Sequence, residues 1–402
     1  MSDTTTIATP AHAQTTVEPP GGPFIRHSEP GKARIYDLTN QSYSGLVNQP
    51  LTAIPGYASA FRLYFKSTAT NTATQANSVV SAASTDVPFN VIQQIQVFDA
   101  LGTPIYALPG FEAMFLVPMF SGGFGLGPLT SVMNLPSYSP ITTGTAFAGQ
   151  FTFASVIPLE FVKGIGVLGM ADGSTLPKIQ VQFNTASAVL GSTAPTITPA
   201  PVLEMRLNAD FYWLPAGANV APPGLGSTRQ WFLQQGYPAI GGSSTTATVT
   251  IPRQGGWLDT MIFILRDSTG ARQDNWPSIF RFKIDGIGEI ETNLDEIYDD
   301  MAITWGIGAT AGGTANNTAN STYNYPLRPQ GVIALSRKTS LGRQVFGLLD
   351  TAEVSLSTSA GTAMTIEGAP WGSSSSNTPW TLNGLLGQII PSGSLIQGLS
   401  QV

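Results

Sequence analysis

Acidic side chains are the one class of residue in this sequence that could carry acid–base chemistry unaided. The chain has no cysteine, and its two histidines, His12 and His27, both fall in the N-terminal lead. From about Gly31 onward it therefore lacks the commonest general base, the commonest metal ligand and the sulfur nucleophile. Two acids working as a pair is the glycosidase arrangement, and all-β folds host it. Asp99 with Glu112, and Asp259 with Asp267, are the pairs on offer, and no motif singles either out. Aromatic rings that could floor a sugar site, Trp213, Trp231, Trp257, Trp276, Trp305, Trp371 and Trp380, are scattered along the chain. Trp213 and Trp257 border strand patterns, where packing in a core or an interface is their ordinary role.

Three further patterns resemble sites. Gly164, Gly166 and Gly169 in KGIGVLG spell G-x-G-x-x-G. A dinucleotide site needs a strand before that motif and a long helix after it, but Gly173 and Pro177 interrupt the residues beyond it, so the segment reads as a loop between strands. The glycines of SGGFGLG (Gly122, Gly123, Gly125 and Gly127) have no Lys-Ser or Lys-Thr behind them and make no phosphate loop; no G-x-S-x-G elbow occurs anywhere. Glu289, Glu291, Asp295, Glu296, Asp299 and Asp300 crowd one segment. The calcium-loop template from Asp285 to Glu296 fails there, because its third and sixth positions hold Ile287 and Ile290. The acids read as a solvated face at a helix start, where the dipole favours carboxylates, with a weak inter-subunit cation site over 285–300 as the alternative. The expectation is a chain with no catalytic, cofactor or metal residues, and not an enzyme.

Composition points the same way. Of 402 residues, 42% are hydrophobic and 10% charged, with 43 Gly and 30 Pro. That charge content is far below the roughly 25% of an ordinary soluble domain, so much of the surface is expected to lie against other copies. A net charge of −6 excludes a protein that coats nucleic acid, which would carry a basic stripe. No charge occurs between Glu112 and Glu160 or after Glu367, yet prolines 118, 128, 136, 140 and 158, then 379 and 391, break both stretches as membrane helices. MSDTTTIATP lacks the basic and apolar regions of a signal peptide, so synthesis and assembly inside a cell are expected.

The elements that would carry any site are strands. Phe61, Leu63 and Phe65 alternate with polar neighbours, as do Ile179, Val181 and Phe183, and then Leu203, Met205, Leu207, Ala209 and Phe211. Period two means sheets with one face on a core. PAGANVAPPGLGST (215–228) holds neither charge nor an apolar cluster and marks a boundary. The pattern restarts after it with Ala247, Val249 and Ile251, a buried-type run Met261 to Leu265, and Phe280, Phe282 and Ile284; Val345 to Leu349, Val354 with Leu356, and Met364 with Ile366 come later. Low-complexity stretches at 67–87, 184–200, 306–322 and 371–379 read as exposed loops. One helix is expected over 291–303, opened by a capping box from Thr292 to Asp295. The reading is all-β, two consecutive eight-stranded jelly-roll barrels with long loops and one short helix. Its parts are an N-terminal arm (1–30), a first barrel (31–215), a linker (216–230), a second barrel (231–370) and a C-terminal tail (371–402).

The order of segments IQQIQVFDALGTPIYALPGF (93–111), FTFASVIPLEF (151–161), KIQVQFN (178–184) and LEMRLNADFYWLP (203–215) resembles the first barrel of the double jelly-roll major capsid proteins of tailless, membrane-containing icosahedral phages, the tectivirus group. FRFKIDGIGEIETNLDEIYDDM (280–301), PQGVIALSRKTSLGRQVFGLLDTAEVSLS (329–357) and AMTIEGAPW (363–371) resemble the second. The resemblance spans about residues 35–370. It implies a homotrimer whose six barrels form a pseudo-hexagonal capsomer of a virion shell, assembled in the host cytoplasm. The implied partners are neighbouring capsomers, minor capsid, vertex or membrane proteins, and an internal lipid membrane, with no direct nucleic-acid contact. The uncharged tail, with Leu385, Leu386, Ile389, Ile390, Leu395 and Ile396, is expected to face the membrane or a neighbouring trimer. A viral spike or lectin-like adhesin is the alternative reading.

Overall fold

The computed structural model describes residues 22–68, 86, 88–121, 137–138, 151–161, 164–171, 176–190, 202–215, 222, 225–234, 247–251, 257–267, 269–274, 276, 279–284, 287–312, 327–336, 364–369 and 381–390. The first half opens with helix α1 (Gly22–His27) and continues through β1 (Glu29–Gln41), β2 (Leu46–Pro50), β3 (Tyr57–Thr68), β4 (Ile92–Phe98) and β5 (Pro104–Leu108). A π-type turn over Glu112–Leu116 runs into α2 (Val117–Phe120); then come β6 (Ser137–Tyr138), β7 (Phe151–Pro158), β8 (Leu168–Gly169), β9 (Lys178–Phe183), α3 (Ala186–Leu190) and β10 (Val202–Trp213). The second half holds β11 (Thr228–Gln234), β12 (Ala247–Ile251), β13 (Trp257–Arg266), β14 (Ile279–Ile284), β15 (Ile287–Asn293) and α4 (Leu294–Trp305). It closes with β16 (Gly308–Gly312), β17 (Leu327–Pro329), β18 (Val332–Ser336), β19 (Met364–Ala369) and β20 (Thr381–Ile390).

The sheets pair these strands in one pattern used twice. The first half forms β1-β10-β3-β7 and β2-β9-β4-β5; the second forms β11-β20-β13-β18 and β12-β19-β14-β15. With β6, β8, β16 and β17 set aside as additions, each half is an eight-stranded jelly roll. First, eighth, third and sixth strands make one sheet; second, seventh, fourth and fifth make the other. The alternation read from sequence sets the inside: Phe61, Leu63 and Phe65 of β3, and Leu203, Met205, Leu207 and Ala209 of β10, are all buried, while Arg62, Tyr64 and Arg206 point outward.

The barrels are not separate beads. β5 pairs in parallel with β11 at Tyr106 and Trp231, so β2-β9-β4-β5 and β11-β20-β13-β18 fuse into one eight-stranded sheet. One cluster of buried apolar side chains runs from Phe61 and Phe153 in the first barrel to Ile262, Ile264 and Leu385 in the second.

Several sequence expectations need correction. Within the expected tail (371–402), residues 381–390 are not peripheral: β20 lies between β11 and β13, and Leu382, Leu385, Leu386 and Ile389 are buried. The absence of charge that pointed to a membrane or a neighbouring trimer reflects burial on both faces of this strand. Gly387 is part of that packing, since a Cβ there would stand 3.0 Å from the Trp231 ring. The N-terminal arm stops short of residue 30: Phe24 of α1 is buried edge-on against Tyr57 and Tyr212, at 5.7 Å from each, and β1 begins at Glu29. The linker likewise ends early, because residues 228–230 already belong to β11.

Helix is not confined to 291–303. The turn over 112–120 is buried all round, which erased the helical period, and Pro118 near its α-helical start disguised it further. α4 is capped one residue later than expected, with Asn293 at the N-cap and Glu296 accepting from the Asn293 N–H at 2.8 Å; Gly306, at φ 69°, ends it. The strands expected at 345–349 and 354–356 lie outside the described residues. Of the expected loops, 67–68 belong to β3, 186–190 form α3 and 308–312 form β16. Among the described residues no helix is long and apolar enough to cross a membrane.

Two outcomes are expected from β20. A chain ending at residue 380 loses a central strand and should show no cooperative unfolding transition. Leu385→Ala should cost about 2–5 kcal/mol in guanidinium unfolding, as for other fully buried leucines; wild-type-like stability of either would show that β20 is dispensable.

Candidate functional site

The described residues concentrate their buried charge at the seam between the barrels. β5 delivers the chain into the 112–120 turn, which Tyr106 anchors by donating its hydroxyl to the Ala113 carbonyl at 2.6 Å. That places Glu112 opposite the end of β13, where Arg266 Nη2 lies 3.3 Å from Glu112 and 2.8 Å from Asp86. Arg272 Nε meets the other Asp86 oxygen at 2.8 Å, and its guanidinium stacks 4.3 Å above the Phe111 ring. Both carboxylates come from the first barrel and both guanidiniums from the second. All four groups are buried or nearly so, with the Arg272 side chain 2% exposed.

At the other end of the turn, Arg229 of β11 donates to the Ser121 carbonyl at 2.6 Å and to Thr260 Oγ1 at 3.2 Å, and lies 4.9 Å over Trp231. Trp305 of α4 donates its indole N–H to the Phe120 carbonyl at 3.0 Å and meets the Phe120 ring edge-on at 5.1 Å. The segment 112–121 is thus clamped along its length by the second barrel.

Burial dominates the electrostatics. It pushes the Glu112 carboxyl above the usual carboxylate range; Arg266 pulls it back and Asp86 adds to the push. It also lowers the Arg272 pKa, against the attraction of Asp86. For Arg266, burial works against the charge, and Asp86 and Glu112 together outweigh it. The groups form a buried cluster of two carboxyls and two guanidiniums, an arrangement that locks geometry.

The candidate carboxylate pairs are engaged elsewhere. Asp99 Oδ1 accepts from the Leu101 and Thr103 N–H groups at 2.9 and 2.7 Å and closes the β4–β5 turn, whereas its supposed partner Glu112 belongs to the seam. Asp267 does the same for the turn after β13, accepting from Thr269 and Ala271 at 2.8 and 3.0 Å, while Asp259 lies within β13. Gly164 and Gly166, at φ 76° and 93°, turn the chain ahead of β8, and Gly164 N–H donates to Glu160. Among the described residues the element that comes directly after them is the strand β8, not a helix, and Gly122, Gly123, Gly125 and Gly127 lie outside the described residues. Trp231 and Trp276 are buried and Trp305 packs on Phe120, so no aromatic platform forms among them. Among the described residues, no three His, Asp or Glu side chains converge on a metal position. The seam itself escaped sequence reading because its members, at positions 86, 112, 266 and 272, are far apart in the chain.

No family model matches this sequence, and no curated protein matches it. Solved structures do. The STIV major capsid protein superposes with a TM-score of 0.59 over 93% of this chain and 100% of its own, at 11% identity. A chain from the atomic structure of Sulfolobus Turreted Icosahedral Virus gives 0.58, covering 93% of this chain and 94% of that one at 10% identity. A chain of the PBCV-1 virus capsid gives 0.57, covering 92% and 95%, also at 10%. The fold is the double jelly roll. At this identity it is the arrangement of strands that is shared, and that arrangement extends over both barrels and their junction.

The seam predicts an asymmetry between its two acids. The folded Glu112 pKa lies above its unfolded value, so its ionised form is the costly one. Stability from this group is gained as pH falls through the folded pKa and lost as pH rises above it. Glu112→Gln should therefore stay within about 1 kcal/mol of wild type and flatten that part of the pH–stability curve. Asp86→Asn, which removes the carboxylate between Arg266 and Arg272, should cost about 3–5 kcal/mol. Guanidinium unfolding across a pH series measures both; an equal loss in the two variants would contradict the assignment.

Proposed function

We propose that this chain is a major capsid protein, a building block that trimerises into pseudo-hexagonal capsomers of an icosahedral viral shell, without enzymatic activity. The observation that carries the reading is the fusion of two topologically identical barrels through one continuous sheet and one core. A pair of like barrels locked in fixed relation supplies two of six similar corners, and three chains supply the rest. Two of the solved structures that share this arrangement over nine-tenths of the chain are named as a major capsid protein and a virus capsid. A charged content of 10% suits a surface that is largely covered in an assembly. No observation favours the spike or lectin-like alternative.

The finer parts of the reading are a tectivirus-like phage virion with an internal membrane, assembly in the host cytoplasm, and contacts to vertex or minor capsid proteins. The resemblance in the order of sequence segments supports them. Within this reading, with β20 in the core, the surface proposed for membrane contact is the end of the first barrel that carries the β4–β5 turn. There Leu101, 89% exposed, and Leu225 flank an apolar cleft of about 630 Å³ that includes Val167, Leu168 and Leu214.

Light scattering on purified full-length protein at micromolar concentration should give three times the 42.3 kDa chain mass. A stable monomer would overturn the reading.

A further inference from the structure

The two outer faces of the first barrel differ in kind. On β3 and β10 the outward positions hold Arg62, Lys66, Glu204, Arg206 and Asp210, with Glu204 opposite Lys66 in the ladder and Asp210 bonded to Arg62 at 2.6 Å. On the other sheet, β2-β9-β4-β5, the one charged residue is Lys178, at the first position of β9. Two cross-strand rows occupy that face instead, Leu46-Gln182-Gln94 and Asn48-Gln180-Gln96. The face is open: the glutamines of these rows, with Gln93, line a cleft of about 720 Å³, and Leu46 stands 57% exposed at its rim.

Amides have replaced charge here, in a chain whose 10% charged content leaves little to hold a surface in water. Each glutamine offers an acceptor oxygen and a two-proton donor. Gln96 donates to Gln94 Oε1 at 3.1 Å and Gln182 to the Ser44 carbonyl at 3.1 Å, whereas Gln93 and Gln180 make no side-chain hydrogen bond among the described residues. An amide surface can pair with a copy of itself, and identical glutamines stack readily between sheets; a charged surface repels its own image. The order across the sheet has the same property. Leu46 lies on β2 at one side, Ala107 of β5 and Leu233 of β11 lie at the other, and the glutamines of β9 and β4 fall between them. A half-turn about a line running along the strands between β4 and β9 exchanges the two sides. Glutamines then meet glutamines, Gln96 opposite Gln180, and Leu46 of each copy meets Ala107 and Leu233 of the other.

We propose that the outer face of β2-β9-β4-β5 is a self-complementary joint, on which one copy meets the same face of a second copy about a twofold axis. The contact is isologous, so each Leu46 enters the cleft of its counterpart and both clefts are filled at once. The inference goes beyond the closed ring of three: it is the joint by which one building block meets the next, and it rests on that reading only for what is being joined. Burial of Leu46 and amide pairing hold it, so its strength should not depend on salt.

Sedimentation velocity on the full chain tests it, over a concentration series at about 0.05 M and about 0.5 M salt so that screening differs. Wild type should form species larger than the three-chain unit, to the same extent at both salts. Gln96→Glu with Gln180→Glu places like charges opposite one another and should weaken that step about tenfold or more at low salt, and less at high salt. Gln96→Glu with Gln180→Lys, which sets opposite charges across the axis, should restore the step and make it salt-sensitive. Leu46→Ser, at a position already exposed, should weaken it at both salts. Circular dichroism should be unchanged in all three variants. Wild type that stays at three chains at every concentration, or larger species that survive either the double-glutamate or the Leu46→Ser change, would overturn the joint and leave the building-block reading intact. A two-chain species lost in those same variants, with no three-chain unit at any concentration, would support the joint and contradict that reading.

Discussion

Two arginines buried at a junction constrain this whole molecule. Neither Arg266 nor Arg272 could be withdrawn from water by the second barrel alone, since the desolvation of a guanidinium without a counter-charge costs several kcal/mol. Asp86 of the first barrel supplies that counter-charge to both, taking one guanidinium on each oxygen at 2.8 Å, and Glu112 adds a hydrogen-bond acceptor to Arg266. The barrels are therefore committed to one relative placement. The remaining contacts at the junction depend on it: the β5–β11 pairing, the Arg229 bond to Ser121 and the Trp305 bond to Phe120 each need the same alignment of strands and turn. Arg328 repeats the device inside the second barrel, chelated by Asp274 at 2.5 and 2.6 Å and stacked 4.4 Å over Tyr298 of α4, which ties the helix to the loop before β14.

A rigid pair of barrels has a use that a flexible pair lacks. In an assembly built from many copies, any slack between two halves is multiplied around each ring and across each lattice. Buried charge favours one geometry over its alternatives even where an apolar junction of the same area would be as stable. That specificity fits a subunit whose task is to present two similar corners at a fixed spacing, and the shared sheet gives the same result in backbone hydrogen bonds.

Much of the first barrel was legible in sequence because β9, β10 and most of β3 have one wet face. β10 shows this best: Leu203, Met205, Leu207 and Ala209 are inside, and Glu204, Arg206, Asn208 and Asp210 are not. Legibility failed wherever both faces are covered. Met261 to Leu265 reads as an unbroken apolar run because the second barrel's core takes one side of β13 and the seam takes the other. The same double burial made TLNGLLGQII look like an uncharged tail when it is a central strand, and left no helical period in EAMFLVPMF, the turn that joins the barrels. The α4 cap was displaced by one residue because Thr292 also reaches Glu296, at 2.7 Å, so the sequence offers two overlapping capping pairs. Of the acids of the seam only Glu112 was in view, as a partner for Asp99, since nothing local in Asp86 or Glu112 announces an arginine more than 150 positions away.

Direct imaging of the purified protein bears most closely on the central claim, that two fused barrels make a rigid third of a six-cornered unit. Class averages by electron microscopy should show closed rings with six barrel-sized densities, alternating between two kinds and identical in spacing within and between chains. Isolated two-lobed particles with a variable angle between the lobes would contradict both the locked seam and the assembly built upon it.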